Sequence, residues 1–215
     1  MDWILDNSSR ILDLSLAHLL LSAPAILAAF VISIPVAWTA NRIRPLREVI
    51  VSGSGLLYAI PSLPLFIVMP ILLGTGIRDA VNVVVALTLF GLALMVRSAA
   101  EALGSVDDST KLSATAVGYS GWGRFFGVEL PLAGPTLLAG LRVVSVSTIS
   151  LVSVSAVLGV QSLGSLFTDG FERNIVPSIL AGIIMTAVLA LILDLILIAL
   201  GKLTMPWASS AGGRA

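Results

Sequence analysis

Two ionisable side chains, Arg142 and Asp194, stand inside long apolar runs, and few other residues of this 215-residue chain offer any chemistry. Nucleophilic catalysis needs a serine or thiol beside a general base. There is no cysteine, the single imidazole is His18, and no Gly-x-Ser-x-Gly turn presents a serine, so an intramembrane serine protease is a distant alternative. The same counts argue against thiolate or histidine metal ligation, and no metal site is expected. A phosphate loop, Gly-x4-Gly-Lys-Ser/Thr, is absent because Gly201-Lys202 lacks the upstream glycine, so no nucleotide-phosphate cradle of that kind is expected on this chain. What remains is ion pairing. An unpaired charge in hydrocarbon costs roughly 2.5–3.5 kcal/mol on insertion scales. Arg142 and Asp194 are therefore expected to pair as a structural brace, with Arg97 as the rival partner for Asp194 and a ligand-binding site as the alternative role.

The elements that must position these residues are helices in a membrane. Hydrophobic residues make up 57% of the chain and charged residues 11%, with a mean hydropathy of +1.06. Soluble domains carry about 25% charged residues. Five apolar segments stand out, at 19–40, 49–73, 80–96, 135–160 and 176–200. Each is long enough to span, and their continuous apolar character excludes the alternation of lipid-facing barrel strands. The fold class expected is an all-α membrane protein with about five spans. Formal net charge is zero, so no basic patch points to nucleic acid; membrane lipid is the expected surrounding.

Orientation follows the positive-inside rule. With the N-terminus outside, the inner loops hold Arg42, Arg44, Arg47, Arg97, Lys111, Arg124, Lys202 and Arg214, and Arg142 lies in the inner half of its span. Arg10, Arg78 and Arg173 lie outside. The split is nine against three, or eight against three without Arg142, and it places the C-terminus and the loop 98–130 in the cytoplasm. Residues 1–17 alternate apolar and charged side chains and read as an interfacial amphipathic segment. No basic region precedes the first apolar run, so that run is expected to stay as a span. Residues 18–201 form the transmembrane domain. The tail 202–215 is cytoplasmic, and its last residues, small and polar from 208 on, are expected to lack structure.

The loop 98–130 carries the most informative spacing. Leu112, Ser113, Ala114 and Val117 can form about two helical turns with small apolar surface, ended by Gly118, which is free of the Cβ penalty. Val128 follows ten positions later, then Leu130-Pro131. Trp122, Phe125 and Phe126 can anchor the returning segment at the interface, and Pro131 and Pro135 fix its path into the fourth span.

This glycine-to-Leu-Pro spacing resembles the cytoplasmic coupling loop of the permease subunits of bacterial ABC importers. There a short helix docks in a groove of the ATPase. The family pattern begins Glu-Ala-Ala; here those positions read Leu112, Ser113 and Ala114, so the glutamate contact is missing. Ile60-Pro61-Ser62-Leu63-Pro64, Val128-Glu129-Leu130-Pro131-Leu132, Ala139-Gly140-Leu141-Arg142, the run 158–164 and Leu193-Asp194-Leu195 occur in an order similar to that of osmoprotectant permeases. The resemblance implies the five-span core of type I importers and a cargo of glycine betaine, choline, carnitine or related quaternary amines. It further implies two ABC ATPase subunits, a second permease, identical or homologous, and an extracytoplasmic substrate-binding protein. A methionine or other amino-acid permease is the alternative within the class.

Three further features concern the path. The second segment holds Pro61 near its middle, and each proline there frees a carbonyl that protein or a water-filled cavity must satisfy. Tyr58, Pro61, Ser62 and Pro64 are therefore candidate path residues, against a kink made for packing. In the fourth span Ser145, Thr148 and Ser155 share one side while Ser147, Ser150 and Ser153 spread over the other, which predicts a central helix packed on both faces. His18 begins the first span and is expected as an interfacial polar residue.

Overall fold

The computed structural model describes residues 2–211, and among them every regular element is helical. The order is α1 (Asp2–Asp6), α2 (Ser8–Arg42), α3 (Arg44–Tyr58), α4 (Ser62–Leu73), α5 (Ala80–Gly104), α6 (Asp108–Ala116), α7 (Gly121–Arg124) and α8 (Leu130–Val152), then α9 (Gly164–Glu172), α10 (Val176–Thr204) and α11 (Pro206–Ala211). A π-helical turn, Phe125–Glu129, joins α7 to α8, and a 3₁₀ segment, Ser153–Leu158, extends α8. Four helical stretches are long and apolar enough to cross a membrane: Ser8–Arg42, Ala80–Gly104, Gly121–Leu158 and Val176–Thr204. The bent pair α3–α4 would make a fifth.

From Ser8 on, the N-terminal segment is part of the first long helix rather than a separate element. After α1, a single helix runs from Ser8 through Arg42. No proline or glycine interrupts it before Pro24, and Ile11, Leu14, His18, Leu21, Ala25 and Ala29 recur at helical spacing on one buried stripe. Ile11 and Leu14 pack with Leu163, Leu166 and Ala181, and Arg10 pairs with Asp169 of α9. Residues 8–17 are thus held by tertiary contacts that no local pattern announces.

The second apolar segment is broken rather than kinked. The chain turns by 102° between α3 and α4, with Pro61 in extended conformation (φ −61°, ψ 135°) at the start of α4. A proline ring disfavours helical geometry in the residue before it, here Ile60.

The core is built on α5, which lies against α2, α3, α4 and α8. Close approach depends on small side chains. A Cβ on Gly91 would sit 2.6 Å from Ala29 Cβ, and one on Gly140 would sit 2.7 Å from Ser98 Cβ. Without a hydrophobic force between helices in lipid, such contacts let van der Waals packing hold the bundle. The stretch expected to lack structure from 208 on is helical at its start: α10 continues to Thr204 and α11 reaches Ala211, while 212–215 lie outside the described residues.

Candidate functional site

At one end of the bundle the chain between α5 and α8 builds a short peg. Asp107 starts α6 by accepting a hydrogen bond from the Ser109 N–H at 3.1 Å. That bond, then one from the Ser109 hydroxyl, holds the Asp107 carboxyl below the usual carboxylate range. At the other end of α6, Gly118 takes φ +98°. Its N–H donates to the Thr115 carbonyl at 3.0 Å, and the Tyr119 N–H donates to that of Ala114 at 3.1 Å. This paired closure requires a left-handed residue. Nothing lies within 4 Å of where a Gly118 Cβ would stand, so conformation alone demands glycine inside this chain.

Leu112 and Val117 are 71% and 81% exposed, so the peg presents apolar side chains with no partner in the chain. Ser113 is exposed beside them, whereas Ala114 is buried and faces back to the stem, contrary to the expectation that it joins the apolar tip. The helix is also longer than the 112–117 expected, because Asp107 caps it five residues earlier.

The stem that returns to α8 is tied in two ways. Trp122 packs at a tilt of 34° against Trp38 of α2 with ring centroids 4.9 Å apart, Phe125 lies 5.2 Å from Trp38, and the Arg42 guanidinium carbon sits 3.9 Å over the Trp38 ring. Arg124 then bridges the two arms of the peg. Its Nε donates to Oε1 of the buried Glu129 at 2.7 Å and its Nη1 to Thr115 Oγ1 at 2.9 Å. The π-helical turn falls where Pro131 cannot donate to Gly127 and its ring would crowd that carbonyl; the widened turn lets the Leu130 N–H reach Phe125 instead. Val128, Leu130 and Pro131 are half-buried along this stem. The sequence gives no reason to bring Trp38, Arg42, Arg124 and Glu129 together at this stem; the one available signal is the surplus of aromatic residues at 122–126.

Deeper in the bundle, Arg142 of α8 meets Asp194 of α10 in a bidentate pair, Nε to Oδ1 at 2.6 Å and Nη2 to Oδ2 at 2.8 Å. Arg97 pairs instead with Glu101, one turn along its own helix. The pair lies in a groove between α8 and α10, lined there by Ala139, Val143, Val146 and Ser147. Ser145, Thr148 and Ser155 are buried on the opposite face of α8 and its extension, while Ser147 and Ser153 are half-buried and Ser150 is exposed. Within this chain the helix is therefore packed on one face and open on the other.

The break between α3 and α4 leaves Tyr58, Pro61 and Pro64 exposed and Ser62 half-buried. It does not meet the Arg142 groove within this chain.

His18 is fully buried rather than interfacial. The Leu163 N–H donates to its Nδ1 at 3.3 Å, so Nε2 carries the hydrogen that goes to the Ile149 carbonyl at 2.8 Å. It clamps α2 to α8 and to the turn before α9. No group of acidic or histidine side chains among the described residues could hold a metal.

This chain is a helical membrane bundle with an apolar-tipped peg after α5, and its class is that of the ABC importer permeases. The family of binding-protein-dependent transport system inner membrane components matches residues 29–205, and the chain belongs to it. Similar proteins include the osmoprotectant import permease protein OsmW of Salmonella typhimurium, 31% identical over 91% of this chain and 92% of that one. The carnitine transport permease protein OpuCD of Listeria monocytogenes is 28% identical, covering 92% and 87%. The choline transport system permease protein OpuBD of Bacillus subtilis is 29% identical, covering 96% and 90%. Among solved structures, an inward-facing MetNI methionine ABC transporter superposes with a TM-score of 0.79 over 90% of this chain and 95% of that one. Its 16% identity bears on the fold alone. The protein is an integral membrane transport component.

Proposed function

We propose that this chain is the membrane subunit of an ATP-driven importer for quaternary-amine osmoprotectants, the class of glycine betaine, choline and carnitine. The observation that carries the reading is the rigid peg at Gly118, with Leu112 and Val117 exposed at its tip, on a chain related over most of its length to permeases named for osmoprotectants, carnitine and choline. Two partner ATPases bind ATP and Mg and seat the peg, a second permease completes the path, and an extracytoplasmic binding protein delivers cargo. This chain itself catalyses no reaction. The distribution of Lys and Arg supports an outside N-terminus and a cytoplasmic peg. Closure of the ATPases pushes the peg, and the Arg124–Glu129 and Trp38–Trp122 ties carry that motion into α8 and α2, opening the path outward; hydrolysis reverses it. The break at Tyr58, Pro61, Ser62 and Pro64 supplies backbone carbonyls beside the path.

The experiment is radiolabelled glycine betaine uptake at high osmolarity, in cells lacking other betaine importers, with this chain expressed beside its ATPase and binding protein. Uptake that needs both partners and is lost in Gly118→Arg is the expected result. Undiminished uptake by Gly118→Arg sinks the role of the peg. Co-purification with the ATPase but no betaine uptake moves the cargo toward amino acids.

A further inference from the structure

The ion pair between α8 and α10 is not sealed in the bundle. Arg142 and Asp194 keep 40% and 19% of their side-chain surface accessible, and both open on the groove lined by Val143, Val146 and Ser147. Charged groups at bilayer depth face protein or water, because acyl chains offer them nothing. The pair stands twelve residues from the start of α8 at Leu130 and ten from the end of α10 at Thr204. At about 1.5 Å per residue that is about 15–18 Å from those helix ends; counted from the inner ends of the apolar segments 135–160 and 176–200 the pair is about 9–11 Å deep, in the inner half of a hydrocarbon core of about 30 Å.

A second observation concerns the rest of the groove. It continues past Val146 to Ser150, Ser153 and Thr186. The Thr186 hydroxyl is buried there without a hydrogen-bond partner. Nearby, α10 is otherwise apolar from Leu189 through Leu200, Asp194 apart. Ile149, Phe167, Ile183 and Ala187 line it as well, so the groove is mainly apolar with a few hydroxyls set along it.

We infer that Arg142 and Asp194 form a binding step for a small zwitterion on the transport path, the guanidinium taking its carboxylate and Asp194 its cationic head. The inference rests on the functional reading above and deepens it. Parting the two side chains strands two charges in a low dielectric, and a zwitterion replaces both lost contacts at once. The bidentate geometry that Arg142 makes with Asp194 is the one it would make with a solute carboxylate. A monocation compensates Asp194 and leaves Arg142 unpaired; an uncharged solute compensates neither. The site therefore prefers carboxylate-bearing quaternary amines over those with a hydroxyl in place of the carboxylate.

The test uses the complete importer, this chain with its ATPase and binding protein, and two labelled solutes, zwitterionic glycine betaine and cationic choline. Arg142→Gln with Asp194→Asn removes both charges without stranding either. The expected result is a drop in betaine uptake about tenfold or more beyond any drop in choline uptake, with the complex recovered in wild-type amount. Retained betaine uptake overturns the inference. So do equal losses of both uptakes in step with loss of complex, which is the behaviour of a brace. Arg142→Lys, which keeps the charge, guards against a double variant that does not assemble: an unchanged betaine-to-choline ratio there overturns the inference too. A wild-type importer that carries choline and not betaine overturns this step alone; one that carries neither overturns the functional reading with it.

Discussion

Arg124 Nε lies 2.7 Å from Oε1 of Glu129, and the glutamate side chain is only 8% exposed while Arg124 also holds Thr115 of the peg. One guanidinium therefore fixes the angle between the peg and α8. Removing one member of a buried pair strands the other. Arg124→Ala leaves a buried carboxylate without its cation and is expected to cost about 3 kcal/mol. Glu129→Gln keeps an oxygen acceptor for Nε and is expected to cost about 1 kcal/mol. Thermal unfolding of the purified complex in detergent reads the order. A larger shift in Glu129→Gln than in Arg124→Ala contradicts the assignment of the buried charge.

Gly118 separates conformation from docking. Its left-handed backbone (φ +98°) disfavours any side chain, while the space around its Cβ is empty. Asparagine enters this region most readily of the non-glycine residues, and a β-branched residue is a genuine outlier there. Gly118→Asn is expected to keep the helix end and most uptake if the docking partner has room for a short side chain. Gly118→Val should cost about 1–3 kcal/mol in local strain and disorder residues 112–119. Hydrogen exchange of the amides of Gly118 and Tyr119 distinguishes the two; equal protection in both variants would remove strain as the reason for the glycine.

The glycine as a helix end was legible because its cause is local, and so were the apolar cores of the spans. The alternation of Ser145, Thr148 and Ser155 with Ser147, Ser150 and Ser153 was legible as two faces, but not which face stays open, since that depends on where α10 lies. Contact between Arg142 and Asp194 followed from charge cost and from their similar distance to the inner ends of their helices. Other features have long-range causes. Whether Ser8 through Ala17 lie on the surface or extend the first span is settled by Ile11 and Leu14 meeting Leu163 and Leu166, some 150 residues on. The same holds for His18, whose partners are backbone atoms of Ile149 and Leu163 and carry no residue signature. At Pro61 the sequence left a path lining and a packing kink open, because proline alone does not distinguish a bend from the 102° break observed.

Asp107 sets the pH behaviour of the peg. Its carboxyl is held below the usual range by the Ser109 N–H and then the Ser109 hydroxyl. A depressed carboxylate contributes its stabilisation above its unfolded value, about 3.9, and loses it as pH falls through the lower folded value. Protection of the α6 amides, corrected for intrinsic exchange, should thus be flat from about pH 8 to 5 and decline only below about 4. Asp107→Asn retains a capping oxygen and should remove that acid decline; Asp107→Ala should raise exchange in the first turn at neutral pH. A decline centred near pH 6 would mean another group governs the peg.

Gly164 offers the sharpest structural test. A Cβ there would overlap the carbonyl oxygen of Ser153, a backbone atom that cannot swing aside. The contact presses α9 onto the end of α8 and seats the turn in which the Ser162 hydroxyl accepts from the Gly164 N–H at 3.1 Å and the Leu163 N–H reaches His18. Gly164→Ala must part these elements, and His18 then loses its donor. His18→Ala removes the same clamp from the other side, leaving the Leu163 N–H buried without an acceptor and a void beside it, for about 3 kcal/mol. Because both changes break one junction, their effects on thermal stability should be less than additive. Gly164→Ala with wild-type stability, or full additivity with His18→Ala, would show that the two residues do not share that junction.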